Sequence, residues 1–298
     1  MTRRLLTLVA PLILMPFLFS CTSATNGEDG ILKIATWNLE WFGALGRDDT
    51  DIDKIADIVT ELQLDLISLQ EITCECTLST LAEKLNFNYY ISSQRVPQKL
   101  AVLWNPATVE TVNFNSESYN ALRKVAAHGL GRESRQPLVF NVVSGKFDFT
   151  FVVVHLKSIP EDEYSLRVRN IQYDSINEWL KSKLENPEAD KDIIIAGDFN
   201  AYNTGVSSER LLETGYVEFT TAGFGSKEYS SIWHDRDGNR NLSLIDHIAI
   251  TSVLKHGEFR EILPIRDWDT EMADGEYERR ISDHLPLVAV FSNTTDDD

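Results

Sequence analysis

The chain has 298 residues, of which 43% are hydrophobic and 25% charged, a composition that supports a large buried core and excludes an intrinsically disordered chain. Its 28 Lys and Arg stand against 46 Asp and Glu, a formal net charge of −18. That sign excludes a protein held to nucleic acid by general basicity, so a phosphate-bearing ligand has to be captured locally.

Met1-Thr2-Arg3-Arg4 followed by the apolar run Leu5 to Phe19 is shorter than the roughly 20 residues that span a bilayer and reads as a secretory signal peptide. Leu18-Phe19-Ser20-Cys21 resembles a bacterial lipobox, which implies acylation of Cys21 and a membrane anchor, with Thr22 favouring the outer membrane. Residues 21–30 are small and polar and suit a flexible tether. The expected divisions are thus a signal peptide over 1–20, the tether, one domain over 31–293 and an acidic tail over 294–298. Residues 1–20 hold two arginines and no acid, so the remainder carries −20. Cys74 and Cys76 then stand in an oxidising compartment and are expected as a local disulfide or inert thiols ahead of a metal site.

Ile31–Trp37 alternates as a strand that ends at Asn38. Helical spacing covers 51–62, Asp65–Gln70 is a strand ending at Glu71, and a helix follows at 77–86. Strands are expected at 88–92, 99–104 and 107–114, then at Pro137–Ser144 and Phe147–Val154 around a Gly145-Lys146 turn, with His155 at the end of the second. A helix over 161–185 is stopped by Asn186-Pro187. Strand 192–196 runs into Gly197-Asp198-Phe199-Asn200. A short helix at 207–214, a hairpin at Asp237-Gly238, a strand Leu242–Thr251 and a last strand Pro286–Phe291 complete the order. No internal repeat or linker interrupts 31–291. Polar residues recur at the ends of apolar strands, where α/β folds build sites.

Taken together, Thr36-Trp37-Asn38-Leu39-Glu40, Leu69-Gln70-Glu71, Val154-His155-Leu156, Gly197-Asp198-Phe199-Asn200-Ala201, Ile245-Asp246-His247-Ile248 and Ser282-Asp283-His284-Leu285-Pro286-Leu287 resemble the endonuclease/exonuclease/phosphatase superfamily of metal-dependent phosphoesterases. The resemblance implies a four-layer αββα fold in the α/β class: two packed mixed sheets flanked by helices. It implies Mg²⁺, with Mn²⁺ or Ca²⁺ as substitutes, held by Asn38, Glu71 and Asp283, since oxygen donors suit that ion. It further implies His155, Asp198, Asp246 and His284 as catalytic groups, with Asp198 orienting water or protonating the leaving oxygen and Asp246 fixing the His284 ring. Asn200 and Arg135, with Arg132 as its competitor, are the expected phosphate contacts.

Gln98 and Thr73 depart from the deoxyribonuclease pattern, which has a Glu paired to the histidine and a DNA-contacting Arg at those places. His247 alternates onto the opposite strand face and is expected to be structural, and His128, His234 and His256 match nothing. The Asp235–Asn239 segment reads as a turn ahead of a calcium loop. The expected function is a Mg²⁺-dependent nuclease exported to the surface or periplasm, with nucleic acid, DNA foremost, as substrate, the membrane as anchor and no obligate protein partner. A phospholipid, sphingomyelin-type or small-molecule phosphodiesterase is the alternative; an apolar loop at 263–272 would speak for it. An inactive surface binding module is the remote alternative, set against the full residue complement. Residues 95–157 hold eight basic against four acidic side chains, a candidate basic wall on an acidic body.

Overall fold

The computed structural model of the chain describes residues 30–47, 49–126, 135–158, 162–272 and 275–296; the signal segment, Cys21, most of the tether, His128 and Arg132 lie outside the described residues. In chain order the elements are β1 (Ile31–Phe42), α1 (Ile52–Leu62), β2 (Leu66–Ile72), α2 (Glu75–Leu85), β3 (Asn88–Ile91), β4 (Lys99–Trp104), β5 (Thr111–Phe114), α3 (Ser116–Ala126), β6 (Leu138–Ser144), β7 (Phe147–His155) and α4 (Glu163–Leu184). There follow β8 (Ile193–Asp198), α5 (Glu209–Leu212), β9 (Val217–Phe219), β10 (Ser231–His234), β11 (Arg240–Ser243), β12 (Asp246–Thr251), α6 (Ser252–His256), β13 (Phe259–Ile262), α7 (Trp268–Glu271), α8 (Glu276–Arg280) and β14 (Leu287–Ser292).

These strands form two mixed six-stranded sheets, β13-β14-β1-β2-β4-β3 and β5-β6-β7-β8-β12-β9, with β10 and β11 as a separate hairpin. Each sheet is built on one parallel pair, β1 with β2 and β7 with β8. A parallel pair needs a crossover, and α1 and α4 supply it. The two sheets stack, and the described helices flank them in the αββα order expected from the sequence.

Strand alternation shows how the layers are made. Phe149, Phe151 and Val153 of β7, Ile194 and Ala196 of β8, and Ile248 and Ile250 of β12 belong to the core between the sheets. Their neighbours Val152, Val154, Ile193, Ile195 and Ala249 join Tyr173, Ile176 and Leu180 of α4 in a second core on the outer face. Burying a side chain of this kind stabilises by about 1.5–3 kcal/mol, so both faces fix the register and a one-residue slip is excluded. His155, Asp198 and Asp246 continue the inner parity of their strands beyond the last apolar residue.

Several elements differ from the sequence expectation. β1 runs past Asn38 to Phe42 through a register shift, with Glu40 and Trp41 at φ 39° and 50°. The apolar run Leu242–Thr251 is two strands in different pairings, because the Ser230 hydroxyl accepts the N–H groups of Ile245 and Asp246 at 3.2 and 3.0 Å and breaks the ladder between them. The strand expected over 107–114 begins only at Thr111, since Asn105 folds 105–109 into a turn. Helix α3 and the short elements β9, β13, α6, α7 and α8 were not expected. Cys74 and Cys76 are joined by a disulfide at the start of α2.

Gly197 has a steric reason. A Cβ there would lie 2.0 Å from the Val154 carbonyl oxygen of β7, a backbone atom that cannot move away without opening the sheet. Gly197→Ala is expected to destabilise by at least the ~1–3 kcal/mol of core overpacking, read as a fall in the urea midpoint; a parent-like midpoint would refute this account of the glycine.

Candidate active site

The site lies where both sheets run out of apolar residues at the same end. In the second sheet, His155 of β7 is in register with Asp198 of β8, and Asp198 with Asp246 of β12. One row across three strands therefore carries an imidazole and two carboxylates, all on the inner face. The first sheet contributes Asn38 from β1 and Glu71 from β2, one step beyond the Asn38–Gln70 pair. Asp283 and His284 come from the segment entering β14.

The side chains meet across the gap. Asn38 Nδ2 donates to Asp198 Oδ2 at 3.2 Å and lies 3.4 Å from Glu71 Oε1, so one amide ties the two sheets together. Asn38 Oδ1 accepts the Glu40 N–H at 3.0 Å, and Glu71 Oε2 accepts the Trp41 N–H at 3.2 Å. His155 Nε2 is 3.3 Å from Asp198 Oδ2 and 3.9 Å from Glu71 Oε1. Asn200 donates its backbone N–H to Asp198 Oδ1 at 2.9 Å. On the far side His284 Nδ1 donates to Asp246 Oδ2 at 2.7 Å, and His284 Nε2 is 3.8 Å from Asp283 Oδ1.

Several residues that hold this arrangement escaped the sequence reading. The Ser230 hydroxyl donates to Asp246 Oδ2 at 2.7 Å, and its carbonyl accepts the Leu285 N–H at 2.8 Å. Ser282 Oγ donates to the Asn38 carbonyl at 2.7 Å and accepts the His284 N–H at 2.9 Å. Trp37 Nε1 and Tyr277 Oη both donate to the His284 carbonyl at 2.9 Å. Ser282 and Trp37 stood inside quoted motifs; nothing local marks Ser230 or Tyr277.

Burial decides the charges. It raises the Asp198 carboxyl to about 7, with Asp246 adding to it and His284 and the Asn200 N–H opposing. Burial likewise takes Asp283 to about 7, His284 opposing while Glu40, Glu71 and Asp246 add. Burial opposes the charge on His284 too, but Asp246, Asp283 and Asp198 together outweigh it and hold the ring well above its ordinary value. His155 goes the other way: burial, then Arg135 and His284, push it far down, so it is a neutral imidazole.

The donor set fits a divalent cation. Asn38, Glu71 and Asp283 offer an amide oxygen and two carboxylates, the chemistry Mg²⁺ takes from proteins. Asp283 Oδ1 and Asp246 Oδ1 are buried without a hydrogen-bond partner among the described residues, and the raised carboxyls mark a cluster short of positive charge. Donor atoms of Asp198, Asp246 and His284 also lie within 4.8 Å of one another. That trio shares the Asp246–His284 hydrogen bond through Nδ1 and Oδ2, so an ion there would be left His284 Nε2 and Asp246 Oδ1.

Arg135 donates to Gln98 Oε1 at 2.6 Å and to the His155 and Leu156 carbonyls at 3.3 and 3.4 Å, which fixes the guanidinium and leaves further N–H groups for a phosphate. Gln98 accordingly faces Arg135 and leaves His155 Nδ1 without a partner among the described residues. The basic wall over 95–157 breaks up. Lys146 donates its N–H to the Asn293 carbonyl at the opposite pole, whereas Arg135 is tied to the end of β7 and Lys99 is in register with Ile72, next to Glu71. Asn200 donates Nδ2 to the Leu156 carbonyl at 3.3 Å, keeping its second N–H for a ligand.

His247 points to the helix side, as alternation requires. Its Nε2 donates to the Ala201 carbonyl at 2.7 Å, its Nδ1 accepts from Thr221 Oγ1 at 2.7 Å, and the ring stacks on Phe219 at 4.0 Å. His234 and His256 are exposed, and Asp235–Asn239 forms the β10–β11 turn. Ile265 and Trp268 of the 263–272 stretch are buried in the core, so the segment offers no apolar loop to a lipid.

Burial lowers the His247 ring to about 4. The unfolded chain takes up this proton near pH 6.5 and the folded chain only near 4, so the stabilisation is present above 6.5 and lost as pH falls towards 4. The span corresponds to about 3 kcal/mol at most, with His155 acting in the same direction. His247→Gln is expected to flatten the fall of the urea midpoint between pH 6.5 and 4; a slope equal to the parent's would contradict a buried neutral His247.

A family model described as Endonuclease/Exonuclease/phosphatase family matches residues 35–284. No curated protein sequence matches. Among solved structures, an endonuclease/exonuclease/phosphatase family protein from Bacteroides thetaiotaomicron is similar at a TM-score of 0.63 and 16% identity, over 88% of this chain and 95% of that one. D. rerio TDP2 complexed with single strand DNA product gives a TM-score of 0.64 at 16% identity, over 88% and 99%. A mannosyl-6-phosphatase from the same Bacteroides species gives 0.62 at 15%, over 87% and 98%. At these identities the likeness speaks for the fold.

Proposed function

The chain belongs to the endonuclease/exonuclease/phosphatase family, and from that premise we propose that it is a divalent-metal-dependent phosphodiester hydrolase acting on nucleic acid, DNA foremost. In this reading it is an exported nuclease tethered to the bacterial membrane, the outer one if Gram-negative, through acylated Cys21. The observation that carries the reading is the convergence of Asn38, Glu71, His155, Asp198, Asn200, Asp246, Asp283 and His284 on one cleft between the sheets. An inactive binding module would have no reason to keep so many buried charges, each of which costs several kcal/mol to desolvate.

The residues divide the work. A Mg²⁺ held by Glu71, Asp283 and Asn38 Oδ1 would neutralise charge on a phosphoryl oxygen. Asp198, titrating near neutrality, can take a proton from the attacking water or return one to the leaving oxygen. The charged His284, fixed by Asp246, donates Nε2–H to another phosphoryl oxygen. Neutral His155 and the free N–H of Asn200 complete the cradle without adding charge.

Two observations bear on how substrate would reach the cleft. Ile31 is at the strand end opposite Asn38, seven residues or about 23 Å away, and Asn293 donates to the Gly30 carbonyl at that same pole. Gly30 and the cleft therefore lie at opposite ends of β1. Among the described residues, the exposed large apolar side chains include the aromatic rings Trp41, Tyr164 and Trp233, on which nucleobases could stack.

The test is a panel of plasmid DNA, single-stranded DNA, RNA, sphingomyelin vesicles and a generic phosphodiester, each with and without Mg²⁺. Plasmid nicking that needs the metal and stops with chelator is expected, with kcat of His284→Ala lower by about 10²–10⁴. Phosphocholine release with DNA left intact would transfer the chain to the lipid branch. Intact nucleic acid under every divalent metal would sink the nuclease reading.

A further inference from the structure

The connection after His155 is anchored at nearly every backbone polar group. Arg135 Nε donates to the His155 carbonyl at 3.3 Å. The Leu156 N–H donates to the Asp198 carbonyl at 2.9 Å, and the Leu156 carbonyl receives Arg135 at 3.4 Å and Asn200 at 3.3 Å. Lys157 is held on both sides: its N–H donates to Gln172 Oε1 at 3.0 Å, and its carbonyl accepts Arg169 Nη1 at 2.6 Å. Gln172 and Arg169 lie one turn apart on α4, both buried, Arg169 completely.

Burying an arginine completely is expensive. The fold uses it where a connection must not move. The parity of β7 says what is being aimed. Phe149, Phe151, Val153 and His155 face the gap between the sheets, while Val152, Val154 and Leu156 face α4. Leu156 keeps the ladder bond to β8, so the next residue, Lys157, falls on the same side as His155.

Lys157 is half-buried and forms no ion pair among the described residues; the charge it acts on is that of Asp162, at longer range. Beside it, Arg135 donates to Gln98 and two carbonyls and Arg169 to the Lys157 carbonyl, while Arg95 and Lys99 belong to the β3–β4 connection and β4 of the other sheet. On these grounds we propose that Lys157 binds a phosphate oxygen of the substrate, and that Arg169 and Gln172 are positioning residues that hold Lys157 there. The inference rests on the phosphoesterase reading and adds a second cation beside Arg135.

Lys157→Ala, Lys157→Arg, Gln172→Ala and Arg169→Lys, compared with the parent on its best substrate, test this. Lys157→Ala should raise KM about tenfold with kcat within threefold, and on a polyanionic substrate should lower the salt slope of kcat/KM by about one. Lys157→Arg should restore most of both. Gln172→Ala and Arg169→Lys should shift KM in the same direction; where Arg169→Lys does not fold, Gln172→Ala decides. A purely structural role moves Tm and leaves the salt slope at the parent's value. Unchanged KM and slope in Lys157→Ala would overturn the proposal. If the parent hydrolyses nothing in the panel, the phosphoesterase reading fails, and Lys157 is judged on calorimetric affinity for inorganic phosphate: about tenfold weaker binding in Lys157→Ala supports it, equal affinity refutes it.

Discussion

Two apolar sheets stack only if whatever lies between them is apolar or internally satisfied. At one end of this molecule that condition falls on carboxylates and imidazoles. Asn38 bridges Glu71 on its own sheet and Asp198 on the other, and His155 sits over the same two oxygens. The balance is incomplete, because buried carboxylate atoms remain without partners and two of the acids are pushed to about 7. A phosphoesterase cleft gains from that shortage. It predisposes the site to a cation and keeps a proton available near neutral pH, and an apolar core of the same volume would do neither.

The backbone shows how the residues are aimed. The two sheets repeat one plan, a parallel pair whose strands end together, with Asn38 and Glu71 from one and His155 and Asp198 from the other. Among the described residues, six other than glycine have positive φ. Gln63 and Asn86 end helices α1 and α2, and the other four, Glu40, Trp41, Glu71 and Asn200, are all at the site. Such conformations cost of order 1 kcal/mol or more each. They turn the chain out of the ladder just where a side chain or an N–H must face the cleft: the Trp41 N–H reaches Glu71, and the Asn200 N–H reaches Asp198.

Much of this was legible because the decisive signals are local. Alternation and apolar runs located β2, β4, β6, β7 and β8, and helical spacing located α1. The parity of β12 separated Asp246 from His247 before any coordinates. What failed was tertiary. Leu242–Thr251 reads as one strand until a hydroxyl sixteen residues earlier intervenes. Nothing near Arg135 in sequence shows that Gln98 and two carbonyls fix its guanidinium. Helix α3 was a missed local signal: Asn115 caps it by accepting the Ser118 N–H at 2.9 Å, and Asn-Ser-Glu before a periodic stretch is an ordinary N-terminal signature. The absence of a sequence repeat hid the shared plan of the sheets, since the plan lives in pairing and not in residue identity.

The β10–β11 hairpin explains why the Asp246–His284 bond can be as short as 2.7 Å although its partners belong to different sheets. Ser231 bridges His284, the Ile232 N–H donates to the Asp283 carbonyl, and the Leu285 N–H donates to the Ser230 carbonyl. Residues 283–285 are thereby stitched to the hairpin on one side, while Trp37 and Tyr277 hold the His284 carbonyl on the other. Ser230 meanwhile fixes Asp246 through its hydroxyl. One residue thus references both members of the pair to a common backbone, and a charge-assisted hydrogen bond needs that shared reference because its strength falls off steeply with misalignment. The geometry of the dyad is set by a third element that belongs to neither sheet, and Ser230 links the hairpin to both halves of the site.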